Sequence, residues 1–330
     1  MQRRQFIATG MGAALSASLA SFPLASWAQD TWPSRPIKLI VPFPPGGPTD
    51  IMGRTAAKVM GDKLGQQLVV ENKAGAGGNI GTDAVAKAAP DGYTIGLSAI
   101  SSLAIAPTLY PKLPFSVDKD LAPVSLVGFT PCAIVAHPSA PFDDLKGLIA
   151  YAKANPGKLS YGTSGIGTST HLAAELLQSS TGIALTHIPY KGTSQIAQDL
   201  LAGTIPLSFE SSLTTTLSNV KSGKLKVIAV TSAQRSRALP NVPTVAEQGV
   251  AGFDVVTWFG LIAPASTPRD IVNKLADAWK AGAATSPALL AFENIGADIK
   301  VNTPQQFAEF IRTENLRWGS LIQKLGIKLD

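Results

Sequence analysis

Short apolar runs alternate with longer stretches of helical periodicity along most of this chain. The strand-like runs lie at residues 37–41, 68–70, 93–97, 133–136, 205–209 and 227–230. Helical patterns lie at residues 83–89, 143–154, 194–202 and 213–222, and two longer ones follow at 268–284 and 304–325. Such alternation is typical of mostly parallel sheets flanked by helices. The pattern therefore predicts an α/β protein.

Two glycine-bearing turns each join a strand-like run to the start of a helix. The first turn, residues 42–50 (PFPPGGPTD), follows the run at 37–41, and helical spacing begins at Ile51. The second, residues 162–171 (GTSGIGTSTH), follows the run at 159–161. The expected N-cap residues are Thr49 or Asp50 in the first turn and Thr168 or Ser169 in the second.

The N-terminus of a helix presents unpaired backbone N–H groups and the positive end of the helix dipole. Glycines allow an anion to approach that backbone closely. Two such helix ends that face each other would hold two carboxylates. The alternative is that both turns are ordinary strand-to-helix connections that use glycine for its conformational freedom.

The first 28 residues have the pattern of a bacterial export signal. Arg3 and Arg4 precede a stretch of Ala, Leu, Gly and Ser without acidic residues, and Ser26, Trp27 and Ala28 form a cleavage-type end. We expect cleavage after Ala28 and a periplasmic location, by either the twin-arginine or the Sec route. An uncleaved membrane anchor is the less favoured alternative, because small and polar residues interrupt the apolar run.

The charge of the mature chain indicates no nucleic-acid partner. The full sequence has 28 basic and 22 acidic side chains, and loss of Arg3 and Arg4 leaves a formal charge of +4. The lysines and arginines are spread out rather than clustered as on a nucleic-acid surface. The single cysteine, Cys132, has no partner for an internal disulfide, so we expect it to be buried and stability to come from the core.

The mature length, about 300 residues, suits two domains. If the C-terminal helices pack on the first of two sheets, the chain must cross between lobes twice, near residues 127–133 and 255–262. We expect residues 29–130 plus 260–330 to form lobe 1 and residues 131–259 to form lobe 2. Two crossings of this kind make a hinge.

Eight segments in the right order resemble the Bug-type (TctC) solute receptors of tripartite tricarboxylate transporters. Each segment alone is weakly specific, but together they span almost the whole mature chain. They are residues 41–50, 71–81 (ENKAGAGGNIG), 90–94 (PDGYT), 161–172, 187–192 (HIPYKG), 229–236 (AVTSAQRS), 239–245 (LPNVPTV) and 258–260 (WFG).

The resemblance implies a two-lobed fold of the type II periplasmic-binding-protein kind, with a ligand cleft between the lobes. It also implies a monomer without cofactor that closes on a small carboxylate and delivers it to a membrane permease. In this family, backbone groups and waters from one loop of each lobe hold the ligand. The matching loops here are residues 43–50 and 164–171.

We therefore expect ligand contacts from these two loops and from nearby strand ends. The candidate residues are Phe43, Pro44, Pro45, Gly46, Gly47, Thr49, Asp50, Ser98, Ser101, Ser164, Gly165, Gly167, Thr168, Ser169, His171, Tyr190 and Glu210. Tyr190 is favoured over Lys191 as a contact. Glu210 would accept a ligand ammonium or hydroxyl group, or cap the following helix. Phe43 and Phe259 would form an apolar wall or belong to the core.

No pattern for catalysis, nucleotide binding or metal binding is complete. Gly162-Thr163-Ser164-Gly165 continues with Ile166, so the nucleophile elbow Gly-x-Ser-x-Gly fails. The glycine-rich segment 75–80 lacks the third glycine of a dinucleotide fingerprint. Three scattered histidines and one cysteine give no metal-ligand spacing, so we expect no metal. A sensory partner of a membrane kinase and a periplasmic esterase remain as alternative functions, and the ligand itself is not specified.

Overall fold

A computed structural model describes residues 32–211 and 214–327 of the protein. The predicted export signal, residues 1–28, lies outside the described residues. Among the described residues, no helix combines the length and apolar character needed to cross a membrane.

The described strands form two separate sheets. Their bounds are β1 (Ile37–Val41), β2 (Leu68–Asn72), β3 (Thr94–Ala99), β4 (Leu121–Pro131), β5 (Ala133–Ala136), β6 (Ser160–Thr163), β7 (Thr186–Pro189), β8 (Leu207–Glu210), β9 (Lys226–Val230), β10 (Val256–Pro264) and β11 (Asp298–Ile299). The first sheet has the order β11-β4-β10-β3-β1-β2, and the second has the order β7-β6-β8-β5-β9.

Helices follow most of the strands. Their bounds are α1 (Pro48–Leu64), α2 (Asn79–Ala86), α3 (Ala106–Leu109), α4 (Val117–Asp120), α5 (Leu145–Ala154), α6 (Ser169–Thr181), α7 (Thr193–Leu201), α8 (Thr214–Lys221), α9 (Arg269–Ala283), α10 (Ser286–Asn294) and α11 (Pro304–Leu325). A 3-10 turn at Ala76–Gly78 precedes α2, and a π-helical turn at Ser101–Ile105 precedes α3.

The two-lobed α/β class is confirmed, and both sheets are mixed. β1 pairs parallel with β2 and β3, and β6 pairs parallel with β7 and β8. β10 runs antiparallel to β3 and β4, while β5 runs antiparallel to β8 and β9. The antiparallel pairs involve the strands at the crossings between sheets, since these strands carry the chain out of one sheet or back into it.

The two crossings lie side by side. β4 ends in the first sheet at Pro131 and β5 begins in the second sheet at Ala133; the chain returns between the end of β9 and the start of β10. Thr231 joins the crossings, because its N–H donates to the carbonyl of Cys132 at 2.9 Å and its carbonyl accepts from the N–H of Val255 at 2.8 Å. This pair of connections is the predicted hinge region. The exact lobe boundaries remain a prediction.

The N-terminus of α1 differs from the prediction. Gly47, rather than Thr49 or Asp50, is the N-cap, and Pro48 is the first helical residue. Proline suits that position because its fixed φ matches the helix and its missing N–H would have no partner there. In α6 the prediction is confirmed, since Thr168 is the N-cap and its hydroxyl accepts from the N–H of His171.

A buried carboxylate beside the first sheet binds two tryptophans. Glu314 of α11 accepts from the indole N–H of Trp258 at 2.8 Å and from that of Trp318 at 3.0 Å. Trp258 lies on β10, two residues from the crossing. The C-terminal helix is thus fixed to the strand that leads out of the hinge.

Candidate ligand-binding cleft

The carboxyl ends of the parallel strands point toward one cleft. The segments after β1 and β3 come from the first sheet, and the segments after β6, β7 and β8 come from the second. In open α/β sheets, ligands bind at the carboxyl ends of the strands. Here the two sheets bring such ends together from opposite sides.

A cavity of about 220 Å³ lies between these segments. Its wall consists of Phe43, Pro44, Gly47, Pro48, Thr49, Ala99, Ile100, Ser101, Ser164, Thr168, Ser169, Lys191, Gly192, Thr193, Ser194, Gln195, Ser211, Thr257 and Phe259. The predicted residues on this wall are Phe43, Pro44, Gly47, Thr49, Ser101, Ser164, Thr168 and Ser169. Both predicted loops therefore contribute to one cavity.

Three helix N-termini meet at the cavity within the described part of the chain. α1 begins after Gly47, α6 after Thr168 and α7 after Gly192, and each of these N-cap residues lies on the wall. In the described structure no side chain caps the N–H groups of α1 or α7. Each end adds unpaired backbone donors and a partial positive charge of about half an elementary charge. The cavity is therefore suited to an anion.

The remainder of the wall is mainly apolar or uncharged. Phe43 and Phe259 line the cavity, and Phe259 is also buried in the core. Lys191 is the one charged side chain on the wall among the described residues. An anion in this cavity would thus meet backbone donors and hydroxyl groups rather than a cluster of arginines.

The two lobes contact each other around the cavity. A Cβ added to Gly47 would lie 3.4 Å from the hydroxyl of Thr193, and one added to Gly192 would lie 3.1 Å from Cγ of Pro44. The hydroxyl groups of Ser169 on α6 and Thr257 on β10 are 2.5 Å apart, next to the crossings. The described conformation is therefore a closed one.

Asp50 supports its turn from behind the cavity wall. Its carboxylate is 4% exposed and accepts from the N–H of Gly46 at 3.0 Å and from Arg54 and Asn72 at 2.9 Å each. Burial opposes its ionisation, but these hydrogen bonds outweigh burial and hold its pKa below the ordinary value. Asp50 thus shapes the turn that positions Gly47.

His171 supports the second loop in a similar way. Its Nδ1 accepts from the N–H of Gly167 at 3.3 Å, and its ring stacks on that of His187 with centroids 4.4 Å apart. Burial lowers the pKa of both rings, that of His187 to about 3, with the neighbouring His171 as the second cause there. Neither ring lies on the cavity wall.

The hydroxyl of Tyr190, the residue favoured over Lys191 as a ligand contact, is bonded within the protein. The hydroxyl of Tyr190 donates to Asp199 at 2.6 Å, and burial together with this bond raises the pKa of Tyr190 to about 12. Lys191 lines both the main cavity and a neighbouring chamber, whereas Tyr190 lines the neighbouring chamber. The side chain of Tyr190 is thus bonded to α7, where Asp199 accepts a hydrogen bond from its hydroxyl.

The remaining candidates lie near the cavity wall but not on it. The hydroxyl of Ser98 is 2.8 Å from that of Thr82, and Pro45 and Gly46 are exposed at the tip of the first turn. Gly165 lines the neighbouring chamber, and Gly167 packs near Leu109.

Glu210 is buried one residue before Ser211, which does line the cavity. Its carboxylate accepts from Ser208 and from the hydroxyl of Thr216 in α8, and burial raises its pKa. The carboxylate therefore links the end of β8 to the first turn of α8 by hydrogen bonds.

The sequence patterns did not predict that α7 begins at the cavity or that Ser211 and Thr257 lie on its wall. The turn at residues 189–192, followed by Thr193 and Ser194, was a usable signal for a third strand-turn-helix unit. The strand of this unit, β7, contains Thr186, His187 and Pro189 and therefore lacks the pattern of an apolar strand. Thr257 and Ser211 carried no local signal.

Comparison with known proteins identifies close relatives over most of the chain. The family model described as tripartite tricarboxylate transporter family receptor matches residues 52–327. Protein BugT of Bordetella pertussis is 42% identical over 301 residues, which cover 91% of this chain and 92% of BugT.

Solved structures agree with this match. The periplasmic binding protein BugD superposes with a TM-score of 0.84 at 37% identity, covering 90% of this chain and 99% of BugD. R. palustris Rpa4515, solved with adipate, superposes with a TM-score of 0.86 at 32% identity, covering 90% of this chain and 99% of that protein.

Proposed function

Because the chain belongs to the tripartite tricarboxylate transporter receptor family, we propose that it captures a small carboxylate in the cleft and delivers it to a membrane permease. Capture would occur in the periplasm after removal of residues 1–28. The protein would act as a monomeric binding protein and not as an enzyme.

One observation carries the proposal: the N-termini of α1, α6 and α7 open onto the same cavity. Their backbone donors favour an anionic group, and the hydroxyl groups of Thr49 and Ser169 add polar partners beside them. A carboxylate accepts several hydrogen bonds at once and so suits this arrangement.

The relatives support a carboxylate over other anions. Rpa4515 is solved with adipate, a straight-chain dicarboxylate, and its fold covers nearly the whole of the described chain. The apolar part of the wall, with Phe43, Pro44 and Ile100, would contact the carbon chain of such a ligand. A phosphate or sulfate would leave that part of the wall without a partner.

Release would require the lobes to separate at the hinge. A ligand that contacts both lobes at once shifts the equilibrium toward the closed form, since it binds that form better. A permease would then recognise the closed form and trigger opening. The two hinge connections are hydrogen-bonded to each other through Thr231, which contacts Cys132 in one connection and Val255 in the other.

A thermal-shift screen of the mature chain tests the proposal. The chain from Gln29 onward, refolded to remove bound ligand, is heated with mono-, di- and tricarboxylates of aliphatic and aromatic type. A ligand at 100 times its Kd adds about 2.7 kcal/mol to stability and raises the melting temperature clearly. No shift with any carboxylate would contradict the proposal.

Variants of the first turn localise the binding. Gly47→Val places methyl groups in the cavity at a backbone φ of −82°, which valine tolerates. Valine is a poorer N-cap than glycine, so the apo melting temperature should fall, and the ligand-induced shift is measured from the variant's own apo value. The ligand-induced shift should disappear. The control is Pro45→Val, in the same turn but off the cavity wall, and it should retain the shift. Retention of the full shift in Gly47→Val would move the site elsewhere.

A further inference from the structure

A second chamber adjoins the main cavity. It has a volume of about 270 Å³ and shares three wall residues with the main cavity: Phe43, Ser164 and Lys191. These three residues therefore surround the junction between the inner cavity and this outer chamber. A ligand longer than the inner cavity would extend through that junction.

The outer chamber is also formed by both lobes. On one side lies the turn at residues 75–78, where Gly75, Gly77 and Gly78 all have positive φ. On the other side lies the second ligand loop at Gly165 and Ile166. The hydroxyl of Tyr110 lies 3.5 Å from the carbonyl of Ile166 across the cleft. The chamber thus takes its shape when the lobes are closed, as the inner cavity does.

Lys191 is the one charged side chain on the wall of either chamber in the described residues. It is exposed and has no ion-pair partner among the described residues. It follows β7 directly and precedes Gly192, the N-cap of α7, so the backbone at this point is held by both elements. Among the described residues, no carboxylate therefore competes with a ligand anion for its ammonium group.

We propose that Lys191 selects ligands with two carboxylates, by pairing with the second carboxylate where the inner cavity meets the outer chamber. The first carboxylate would bind at the three helix N-termini, and the carbon chain would pass Phe43 at the junction. This inference rests on the proposed function, and it assigns dianionic ligands of extended shape as the preferred class.

The expected consequence is that dicarboxylates bind more tightly than monocarboxylates and that Lys191 controls this difference. A partly exposed ion pair of this kind contributes an affinity difference of about threefold to tenfold at low salt. Salt reduces it, because the Debye length is about 10 Å at 0.1 M ionic strength. The first carboxylate, held by backbone groups, does not depend on Lys191.

Isothermal titration with chain-matched ligands tests the assignment. The probes are straight-chain dicarboxylates of four to eight carbons and the monocarboxylates of the same lengths, each measured with wild type, Lys191→Met and Lys191→Arg. Lys191→Met should lose about threefold to tenfold in affinity for dicarboxylates and little for monocarboxylates. Lys191→Arg should retain the preference, and added salt should weaken it in wild type.

Lys224→Met is the matched control, since it removes the same charge from an exposed site in the same lobe that lines neither chamber. It should bind both ligand types as wild type does. Equal losses for both ligand types in Lys191→Met, or unchanged dicarboxylate affinity, would overturn the role of Lys191 while leaving carboxylate capture intact. Failure of wild type to bind any of these acids would instead contradict the proposed function.

Discussion

Gly192 offers a test of lobe closure because it faces Pro44 across the cleft. It is the N-cap of α7, and its φ of 177° is extended backbone that alanine adopts freely. A Cβ at this position would lie 3.1 Å from Cγ and 3.2 Å from Cδ of Pro44, across the cleft. Gly192→Ala therefore introduces a clash that exists when the lobes are closed and is relieved when they separate.

The size of the effect follows from these distances. Carbon atoms pack best at about 3.5–4.0 Å, so both contacts are too short by several tenths of an ångström. Overpacking of one methyl group typically costs about 1–3 kcal/mol, and partial movement of the turn should keep the cost near the lower end. A penalty of about 1–2 kcal/mol on the closed form lowers ligand affinity roughly fivefold to thirtyfold.

A double-variant cycle measured by isothermal titration separates the clash from other effects. Alanine is a poorer N-cap than glycine, which affects α7 in every background and would appear in the apo melting curve. Pro44→Ala removes the ring atoms that the new methyl group meets. In that background Gly192→Ala should cost less than about 0.5 kcal/mol of binding, and the difference between the two costs is the clash itself.

One outcome would refute the reasoning about closure. If Gly192→Ala lowers affinity by the same factor with and without the Pro44 ring, the contact across the cleft is not responsible. Small-angle scattering gives an independent check: Gly192→Ala should need more ligand than wild type to reach the compact profile.

Two further predictions concern stability. The pKa of His187 falls from 6.5 to about 3 on folding. Below about pH 6.5 the unfolded state therefore binds a proton that the folded state does not, and the free energy of unfolding falls by up to ~1.4 kcal/mol per pH unit. His187→Phe should show a shallower loss of unfolding free energy between pH 6.5 and 4 in urea titrations, and an unchanged slope would contradict the assignment. Glu314→Leu strands two buried indole N–H groups and should lower the unfolding free energy by about 2–5 kcal/mol, whereas Glu309→Leu, exposed on the same helix, should be near neutral. If both leucine variants lower the unfolding free energy equally, the hydrogen bonds from Glu314 to the two tryptophans are not the cause.

The local elements were largely predictable from sequence. Apolar runs located β1 and β5 at their observed bounds, and the helical pattern located α11 as residues 304–325. Both glycine-bearing turns at the cavity were predictable as strand-to-helix connections, because a strand, a turn and a helix start are all local signals. The N-cap of α6 was narrowed to Thr168 or Ser169 for the same reason, whereas Gly47 was not predicted as the N-cap of α1 because its cap was expected on a side chain.

The distribution of roles among the candidate residues was not predictable from sequence. Asp50 and His171 carry groups that suit a ligand, yet each accepts a hydrogen bond from the backbone of its own loop. Glu210 would suit a cleft wall, but it accepts from Ser208 and Thr216 instead. Such partners are set by which atoms lie nearest after folding, and the residue type alone does not reveal them.

By itself, the sequence determined the alternation of strands and helices, the two glycine-bearing turns and the family resemblance, because each depends on neighbouring residues or on an ordered set of segments. The tertiary structure alone decided which helix ends share a cavity, that a third one joins them at Gly192, and that Thr257 meets Ser169 beside the hinge. These residues are far apart in the chain, and sheet pairing and the two crossings bring them together. The cleft is therefore a product of long-range packing built from locally encoded turns.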